Sequence, residues 1–324
     1  MADDLVKILD GNTFVVSDRR GDIEASLDDP TGLFTFDTRF LSRWILTIDG
    51  HRLNALSTDD LQYFEARFFL VPGTGTVYVD AKMSVIRQRA VGEGFSEKIA
   101  IINHDEKPVD VSVRLEAGCD FADLFEVKDK LEKKGKYYTR VDGNQLVLGY
   151  ERDTFRRETA ISAGDGAHID EHGITFDVTI PPKGEWSTDL NVVTTMPGLH
   201  GLRASTKNGR GEPRSRPNLE RDLDKWLGDA PRLECDWPSL HRTYHRSLVD
   251  LAALRFSPVT EGRHSLPAAG LPWFMTIFGR DSIFTSLQAL PFAPELAATT
   301  LHVLGLRQGT RVDGACPQPG CPGS

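Results

Sequence analysis

The sequence has few of the residues that mark disulfide-bonded, zinc-binding and nucleic-acid-binding proteins. Among its 324 residues are four cysteines, of which Cys119 and Cys235 stand alone, while Cys316 and Cys321 lie near the end without a neighbouring histidine. This spacing predicts neither a disulfide framework nor a zinc site. The net charge of −9 argues against a nucleic-acid or anionic-membrane partner, because both require a concentrated basic face, whereas a neutral partner such as a sugar fits it.

Targeting and phosphate-binding signals are also missing. The opening segment, MADDLVKILDGNTFVV, carries acids where a secretory signal has positive charge, and it lacks an apolar run of signal-peptide length. This pattern predicts a cytoplasmic protein. No glycine-rich phosphate loop occurs in the sequence.

The composition is that of a globular protein, with 40% hydrophobic and 26% charged residues, and it favours neither disorder nor a membrane span. The length suits two domains, each with its own core. From Gly11 to about Pro197, branched and aromatic residues alternate with polar ones in short runs separated by turn residues such as Asp49-Gly50. About a dozen strands without a long helical period predict a large antiparallel β-sandwich, or supersandwich. The predicted strands are Thr13–Val16, Trp44–Ile48, Phe68–Val71, Val77–Val79, Ser84–Arg89, Lys98–Asn103, Val109–Glu116, Tyr137–Arg140, Gln145–Tyr150, Glu158–Ser162, Ile174–Ile180 and Trp186–Thr194.

The pattern changes at Leu202–Pro217, LRASTKNGRGEPRSRP, where Gly, Pro, Ser and basic residues predict a solvated linker rather than an anion site. After it the apolar period becomes that of α-helices. A chain in which the strands come first and the helices follow is typical of the α+β class, in which the two kinds of element are segregated. Four helices are predicted: one capped by Asn218, one from about Pro238 to Phe256, one near Ser282–Leu290 and one over Pro294–Arg307.

The strongest chemical signal is the segment Ala269–Gln288, AGLPWFMTIFGRDSIFTSLQ. A loop rich in Gly, Pro and aromatic residues leads to Arg280 and Asp281 at the start of a helix. A guanidinium beside a carboxylate offers the donors and acceptors that vicinal sugar hydroxyls require. Trp273, Phe274 and Phe278 could contact the apolar face of a pyranose. The predicted buried stripe of this helix is Ile283, Phe284, Leu287 and Leu290.

An ordinary structural role accounts for the same residues about equally well. Asp281 or Ser282 would then be the N-cap of the helix, with Arg280 as its surface partner and the aromatic residues in the core. His241 and His245, four residues apart on a helix, are predicted to be surface or interface residues, because Arg242 stands where a metalloprotease helix has glutamate.

The segment GLPWFMTIFGRDSIFTSLQAL resembles the first catalytic-domain motif of six-hairpin, (α/α)6-barrel glycosidases, specifically the bacterial amylo-α-1,6-glucosidase or glycogen-debranching family. The aromatic-Arg-Asp-Ser order is also similar to the glucoamylase motif that grips the terminal glucose. The resemblance implies that Arg280 and Asp281 hold hydroxyls of a non-reducing-end glucose and that Trp273 and Phe278 wall the pocket. It implies no metal and no organic cofactor, since glycoside hydrolysis uses carboxyl groups and water.

Two segments of the N-terminal half, GLFTFDTRFLSRWILTIDG and FADLFEVK, are similar to signatures of the N-terminal domain of the same debranching enzymes. Within them, Asp37 and Arg39 alternate on one predicted strand face, and Asp123 and Glu126 lie close together in a turn. We interpret these charges as inter-strand or inter-domain ion pairs rather than substrate contacts.

The catalytic carboxyl groups are not assigned. The resemblance implies an inverting enzyme, whose general acid and base stand about 6.5–9.5 Å apart, and it places them on later hairpins, after Gly309–Asp313. A ring of six hairpins needs about twelve helices, so we expect an incomplete barrel that exposes apolar faces. The resulting division is 1–200, an N-terminal β-sandwich; 201–217, a linker; 218–312, the opening helices of an (α/α)6 domain; and 313–324, an aberrant Pro/Gly/Cys tail that a frameshift would explain.

The sequence thus favours a glycoside hydrolase of the glycogen-debranching type, acting on an α-glucan or oligosaccharide, whose chain alone is inactive. A non-catalytic carbohydrate-binding or interaction module remains a second hypothesis. Another six-hairpin glycosidase, such as a trehalase-like or mannosyl-glycosidase relative, is a third.

Overall fold

The computed structural model describes residues 5–26, 30–72, 82–92, 94–129, 131, 133–196, 216–257 and 265–309. The predicted strand Val77–Val79, most of the predicted linker and the predicted tail lie outside these ranges. In chain order the strands are β1 Val6–Asp10, β2 Thr13–Ser17, β3 Ile23–Glu24, β4 Gly32–Thr35, β5 Thr38–Leu41, β6 Arg43–Ile48, β7 His51–Gln62, β8 Glu65–Pro72, β9 Met83–Val91, β10 Gly94–Asn103, β11 Val109–Gly118, β12 Lys136–Asp142, β13 Gln145–Arg152, β14 Phe155–Ala163, β15 His168–Asp170, β16 Gly173–Ile180, β17 Glu185–Thr195, β18 Arg255–Phe256 and β19 Leu266–Pro267. The helices are α1 Leu124–Lys128, α2 Arg216–Asp229, α3 Pro238–Ala253, α4 Gly279–Ala289 and α5 Pro294–Leu306.

The main body is a 13-stranded antiparallel sheet that folds over on itself. Its strand order is β12-β13-β14-β17-β10-β9-β8-β7-β6-β11-β16-β15, with β3 paired to β6. The long strand β7 joins the two halves: its first two residues pair with β6, and the rest pairs with β8. Alternate residues of both halves meet in one core, in which the Trp44 ring lies 5.3 Å from that of Phe95. The predicted antiparallel β architecture is therefore confirmed.

A smaller, four-stranded sheet, in the order β1-β2-β4-β5, carries the helical segment. Phe14 and Phe34 stack at 4.8 Å on this sheet and pack in one cluster with Phe256, Met275 and Val303 of the helical segment. A third cluster joins Phe64 to α2, α3, α4 and α5 through apolar residues. Burial of such surfaces is the main favourable term in packing, so the helices are anchored to the sandwich by their apolar sides.

Several predicted boundaries differ from the structure. Helix α2 begins at Arg216, so Asn218 lies inside the helix instead of capping it. Of its apolar residues, Leu219, Leu223 and Trp226 are buried and Leu227 is half-buried. Helix α3 ends at Ala253, three residues before the predicted end, because Phe256 belongs to the short ladder of β18 with β19.

The predicted charge pattern near Asp37 is partly wrong. Asp37 lies in the turn between β4 and β5, so it does not share a strand face with Arg39. Arg39 is 4% exposed and forms an ion pair with Asp120, as expected of a structural charge. Asp123 instead caps α1, in a capping box with Glu126, because its carboxylate accepts hydrogen bonds from the first-turn amides.

Candidate functional site

The loop before α4 is tied down by backbone hydrogen bonds. Gly270 and Phe274 exchange backbone bonds of 2.9 and 3.1 Å and form an isolated β-bridge. Gly270 has φ of +146°, a backbone conformation that suits glycine. At the loop entrance the Ala268 amide donates to the Leu254 carbonyl at 2.9 Å. The loop is therefore fixed to the end of α3 before it delivers the aromatic residues.

Helix α4 starts without a side-chain cap. Its N-cap residue is Phe278, and no side chain accepts from the first-turn amides there. The Ser282 hydroxyl is buried and donates to the Pro267 carbonyl at 2.7 Å, so it anchors α4 to β19. The hypothesis that Asp281 or Ser282 is the N-cap is therefore wrong, and Asp281 occupies the first turn of the helix.

Arg280 and Asp281 both extend into solvent at this helix start. Their side chains are 81% and 41% exposed, and Arg280 Nη2 lies 3.9 Å from Asp281 Oδ2. The carboxylate sits near the positive end of the helix dipole, a favourable position for negative charge. A contact of this length between exposed groups is weak, so both side chains are available to a ligand.

The aromatic residues of the loop divide into two groups. Trp273 is partly buried and packs against the cluster that joins the small sheet to the helices. Phe274 is 45% exposed, and its ring meets that of Phe278 edge-on, with 5.3 Å between centroids. Phe274 and Phe278 thus form a pair of contacting rings a few residues before Arg280 in the chain.

The predicted buried stripe of α4 is wrong. The residues Ile283, Phe284, Leu287 and Leu290 are 44–60% exposed. The buried face instead carries small residues: Ser282 bonds to Pro267 of β19, Ser286 faces α5, and Ala289 packs in the third cluster. There Ser286 Oγ and Thr300 Oγ1 share a 2.9 Å hydrogen bond. The larger apolar residues form a separate, solvent-facing surface, which we term the α4 apolar face.

A groove of about 550 Å³ lies between α3 and α4. Its lining is mostly apolar and includes Leu240, Tyr244, Leu248, Ala289 and Phe292. Arg280, Asp281, Trp273 and Phe278 do not line it. The predicted site residues therefore lie at the N-terminal end of α4, while the groove runs along the side of the helix that faces α3.

A buried ion cluster in the sandwich has no counterpart in the sequence predictions. Arg87 and Arg89, both fully buried on β9, share the carboxylate of Glu97 on β10. Arg87 also donates to Asp22 Oδ1 at 2.6 Å, and the Trp44 indole donates to Glu97 Oε2 at 2.8 Å. The only sequence signal for it is the Arg-Gln-Arg spacing, which puts two charges on one strand face.

Electrostatics in this cluster favour the ionised forms of its central pair. Burial by itself would raise the pKa of Glu97, but the two guanidinium groups and their hydrogen bonds lower it to about 2. The pKa of Arg87 is raised by Glu97 and Asp22 despite its burial. Burial raises the pKa of Asp22 above its ordinary value. Glu97 therefore supplies the negative charge that both buried guanidinium groups share.

The described parts of the chain hold no group of three or more His, Cys, Asp or Glu residues arranged for a metal ion. Likewise, none of the helices in those parts is long and apolar enough to cross a bilayer.

The sandwich is the part of the chain that identifies its family. Residues 8–191 match the model of the N-terminal domain of (some) glycogen debranching enzymes. The chain belongs to this family. The match covers β2 to β16 in full and agrees with the resemblance of the two N-terminal segments. A search of curated proteins gave no match.

Solved structures that match this chain at low sequence identity include the three that follow. A protein described as a kojibiose phosphorylase from the human microbiome is 12% identical, with a TM-score of 0.46, over 69% of this chain and 32% of that one. A galactose mutarotase-related enzyme from Lactobacillus acidophilus is 8% identical, with a TM-score of 0.36, over 59% of this chain and 97% of that one. A polysaccharide lyase is 11% identical, with a TM-score of 0.32, over 62% and 34% of the two chains. This debranching-family chain thus spans about a third of the length of the phosphorylase.

Proposed function

We propose that the chain is part of a glycoside hydrolase of the glycogen-debranching type, an amylo-α-1,6-glucosidase acting on α-glucans. The observation that carries the proposal is the adjacent, solvent-exposed pair Arg280 and Asp281 at the start of α4, in a chain whose sandwich matches the debranching family. In this proposal residues 1–200 are the N-terminal domain, 201–217 the linker and 218–312 the opening helices of an (α/α)6 barrel.

The pair has the chemistry that a terminal glucose needs. The Arg280 guanidinium offers several N–H donors in a fixed plane, and the Asp281 carboxylate offers two acceptor oxygens. Two neighbouring hydroxyls of a hexose can accept from the first group and donate to the second. In this proposal the half-buried ring of Phe278, which packs edge-on against the exposed Phe274, contacts the apolar side of the sugar, while Trp273 packs under the loop.

Hydrolysis itself needs two further carboxyl groups, one to protonate the leaving oxygen and one to activate water. We assign neither among the residues of this chain. Arg280 and Asp281 are therefore proposed as binding residues that hold the glucose whose glycosidic bond is cleaved. The proposed mechanism uses no metal or organic cofactor.

The helical architecture is supported by the surfaces that the helices leave uncovered. The α4 apolar face and the groove between α3 and α4 are apolar surfaces of the kind that neighbouring helices cover in a helical ring. The described helices also pack pairwise, α4 on α5 and α2 on α3. Both features fit the opening hairpins of a barrel.

Binding and glucose release from a branched limit dextrin test the proposal. Asp281→Asn, which keeps the size of the side chain but removes its charge, should weaken dextrin binding by about tenfold. Asp222→Asn, an exposed position on α2, is the matched control and should bind as the unchanged chain does. Equal binding by both variants would overturn the assignment of the sugar site to the start of α4.

The second hypothesis, a carbohydrate-binding module without catalysis, is favoured by one observation: the family match covers most of the sandwich and stops before α2. Glucan binding that Asp281→Asn leaves unchanged, without any glucose release, would support this hypothesis. Glucose release by this chain would exclude it.

A further inference from the structure

The outer face of β12, β13 and β14 carries a tyrosine held flat on the sheet. Tyr138 on β12 lies opposite Gly149 on β13, which in turn lies opposite Glu158 on β14. A Cβ atom on Gly149 would come within 2.1 Å of the Tyr138 ring, so the ring rests directly on the glycine backbone. Only the absence of a side chain at position 149 allows this placement.

Hydrogen bonds fix the ring in that position. The Tyr138 hydroxyl donates to Glu158 Oε1 at 2.7 Å and accepts from Arg156 Nε at 3.0 Å. Arg156 also donates to Glu158 Oε1 at 2.8 Å, and its guanidinium carbon lies 5.7 Å from the Tyr138 centroid. Burial raises the pKa of Tyr138, and the bond to Glu158 raises it further, so the phenol stays protonated as a donor.

The charged side chains beside the ring are mutually paired, and Glu158 is the least exposed of them, at 13%. Arg140 contacts Asp142 at 2.9 Å and Glu158 at 3.3 Å. Arg140, Arg156 and Asp142 have side chains that are 44–64% exposed. The set contains two arginines and two carboxylates, so it is neutral. An anionic partner would have to compete with these carboxylates for the guanidinium groups, whereas a neutral polar ligand would not.

Protection of an edge strand explains only part of this arrangement. β12 stands at one end of the large sheet, and charges on such a strand oppose pairing with other chains. That role does not require an aromatic ring laid flat over a glycine, nor a hydroxyl bonded to two partners. A level aromatic face bordered by paired donors and acceptors matches a pyranose, which has an apolar C–H face and a rim of hydroxyls.

We propose that Tyr138, Arg140, Arg156 and Glu158 form an accessory surface that binds a neutral oligosaccharide by stacking a sugar ring on Tyr138. The ligand class, an α-glucan chain, rests on the proposed function. This Tyr138 surface lies on the sandwich, on different elements from Arg280 and Asp281. It would hold a polymeric substrate independently of the terminal sugar.

Isothermal titration with a linear maltooligosaccharide and with soluble glycogen tests the surface. Tyr138→Ala should raise the Kd about tenfold, in line with the loss of one stacked ring. Gly149→Ala should raise it similarly because the added Cβ displaces the ring. Tyr137→Phe is the matched control: Tyr137 precedes Tyr138 on β12, packs against Tyr150 on the other face and donates to the Asp120 carbonyl at 2.9 Å, so its loss of a hydroxyl should leave glucan binding unchanged. Circular dichroism of each variant verifies that the sandwich is folded.

Asp281→Asn, titrated in parallel, separates this surface from the proposed function. Weakened binding in Tyr138→Ala and Gly149→Ala, with Tyr137→Phe unchanged, supports the surface whatever Asp281→Asn shows. Unchanged binding in folded Tyr138→Ala, with a loss in Asp281→Asn, overturns the surface and leaves the proposed function standing. If the unaltered chain binds no glucan but binds another neutral polysaccharide through Tyr138, the glucan assignment fails and the surface stands. Absence of binding to any neutral polysaccharide overturns the surface.

Discussion

Asn12 and Ser257 are linked by a reciprocal pair of hydrogen bonds across 245 positions of sequence. The Asn12 side-chain amide donates to the Ser257 carbonyl at 2.7 Å, and the Ser257 backbone amide donates to Asn12 Oδ1 at 3.0 Å. The Asn12 carbonyl also accepts from Phe36 at 2.8 Å. One side chain in the turn between β1 and β2 therefore pairs with both backbone groups of Ser257, the residue directly after β18.

Asn12→Ala should loosen the helical segment from the small sheet. Losing both bonds leaves the Ser257 amide and carbonyl without this partner, at an expected cost of about 1–3 kcal/mol in the free energy of unfolding. Urea denaturation measures the change, and hydrogen exchange at the Ser257 amide locates it. The matched control is Asn54→Ala on exposed strand β7. If the two variants unfold at the same urea concentration, the link contributes nothing.

Glu97→Gln should destabilise the sandwich strongly. It removes the charge that two fully buried guanidinium groups share, and uncompensated buried charge typically costs about 3–5 kcal/mol. Glu116→Gln is the control, because Glu116 pairs with Arg43 at 2.6 Å on the partly exposed outer surface. That exposed pair should be worth less than about 1 kcal/mol. Equal loss in both variants, measured by chemical denaturation, would contradict the importance of burial.

The same carboxylate should make stability depend on pH. The pKa of Glu97 is about 2 in the folded chain, against an ordinary value of 4.5. The unfolded chain therefore takes up the proton first as pH falls, so the contribution is complete above about 4.5 and is lost between 4.5 and 2. Asp22, whose pKa burial raises, acts in the opposite direction. Denaturation midpoints across this range should fall less steeply in Glu97→Gln than in the unchanged chain.

The α4 apolar face should promote self-association. Phe284 and Leu287 are 57% and 60% exposed, and apolar surface of this kind associates in water. The double variant Phe284→Gln with Leu287→Gln should bind less of a hydrophobic dye and scatter less light as concentration rises. Gln288→Glu, on the same helix, controls for a general effect of added polarity. A monodisperse unchanged chain that binds no dye would refute this prediction.

Helices α4 and α5 should show coupling through a buried hydroxyl pair. Ser286→Ala leaves the Thr300 hydroxyl buried without its 2.9 Å partner, at a cost of about 1–3 kcal/mol, and Thr300→Val should cost less because Ser286 keeps a 3.4 Å bond to the Leu296 carbonyl. The double variant removes both polar groups and should cost less than the sum of the single variants. Thermal unfolding of the four chains completes the cycle; strictly additive losses would show that the two hydroxyls do not interact.

The sandwich could be predicted from the sequence because each inner strand buries one face. Strands β9, β10 and β11 show this alternation along most of their length, and their predicted cores lie within the observed strands. Strand β7 was missed because its sequence, HRLNALSTDDLQ, is largely polar and exposed. Its extended form depends on hydrogen bonds to β8, which the residues of β7 alone do not reveal.

Orientation of the helices and buried charge were harder to predict. An apolar stripe shows that a face of α4 avoids water, but it does not identify the element that covers it. The face of α4 that contacts α5 carries the small residue Ser286, whose hydroxyl pairs with that of Thr300, rather than the larger apolar residues. Charged residues such as Glu97 and Arg87 are expected at the surface, because charges are rarely buried unless they are paired. Their pairing joins two separate strands, so the sequence of either strand alone does not reveal it.

Strand β7 also determines how the sandwich can be divided. β7 borders both halves, and the strands of each half alternate along the chain, with β11, β15 and β16 on the β6 side and β12–β14 and β17 on the β10 side, so a single cut does not release either half as one continuous fragment. A chain opened within β7 would lose partners on both sides at once, whereas new termini placed in the turn at Asp142-Gly143-Asn144 would disturb only an outer hairpin. Fragment complementation and circular permutation are thus confined to the periphery of this domain.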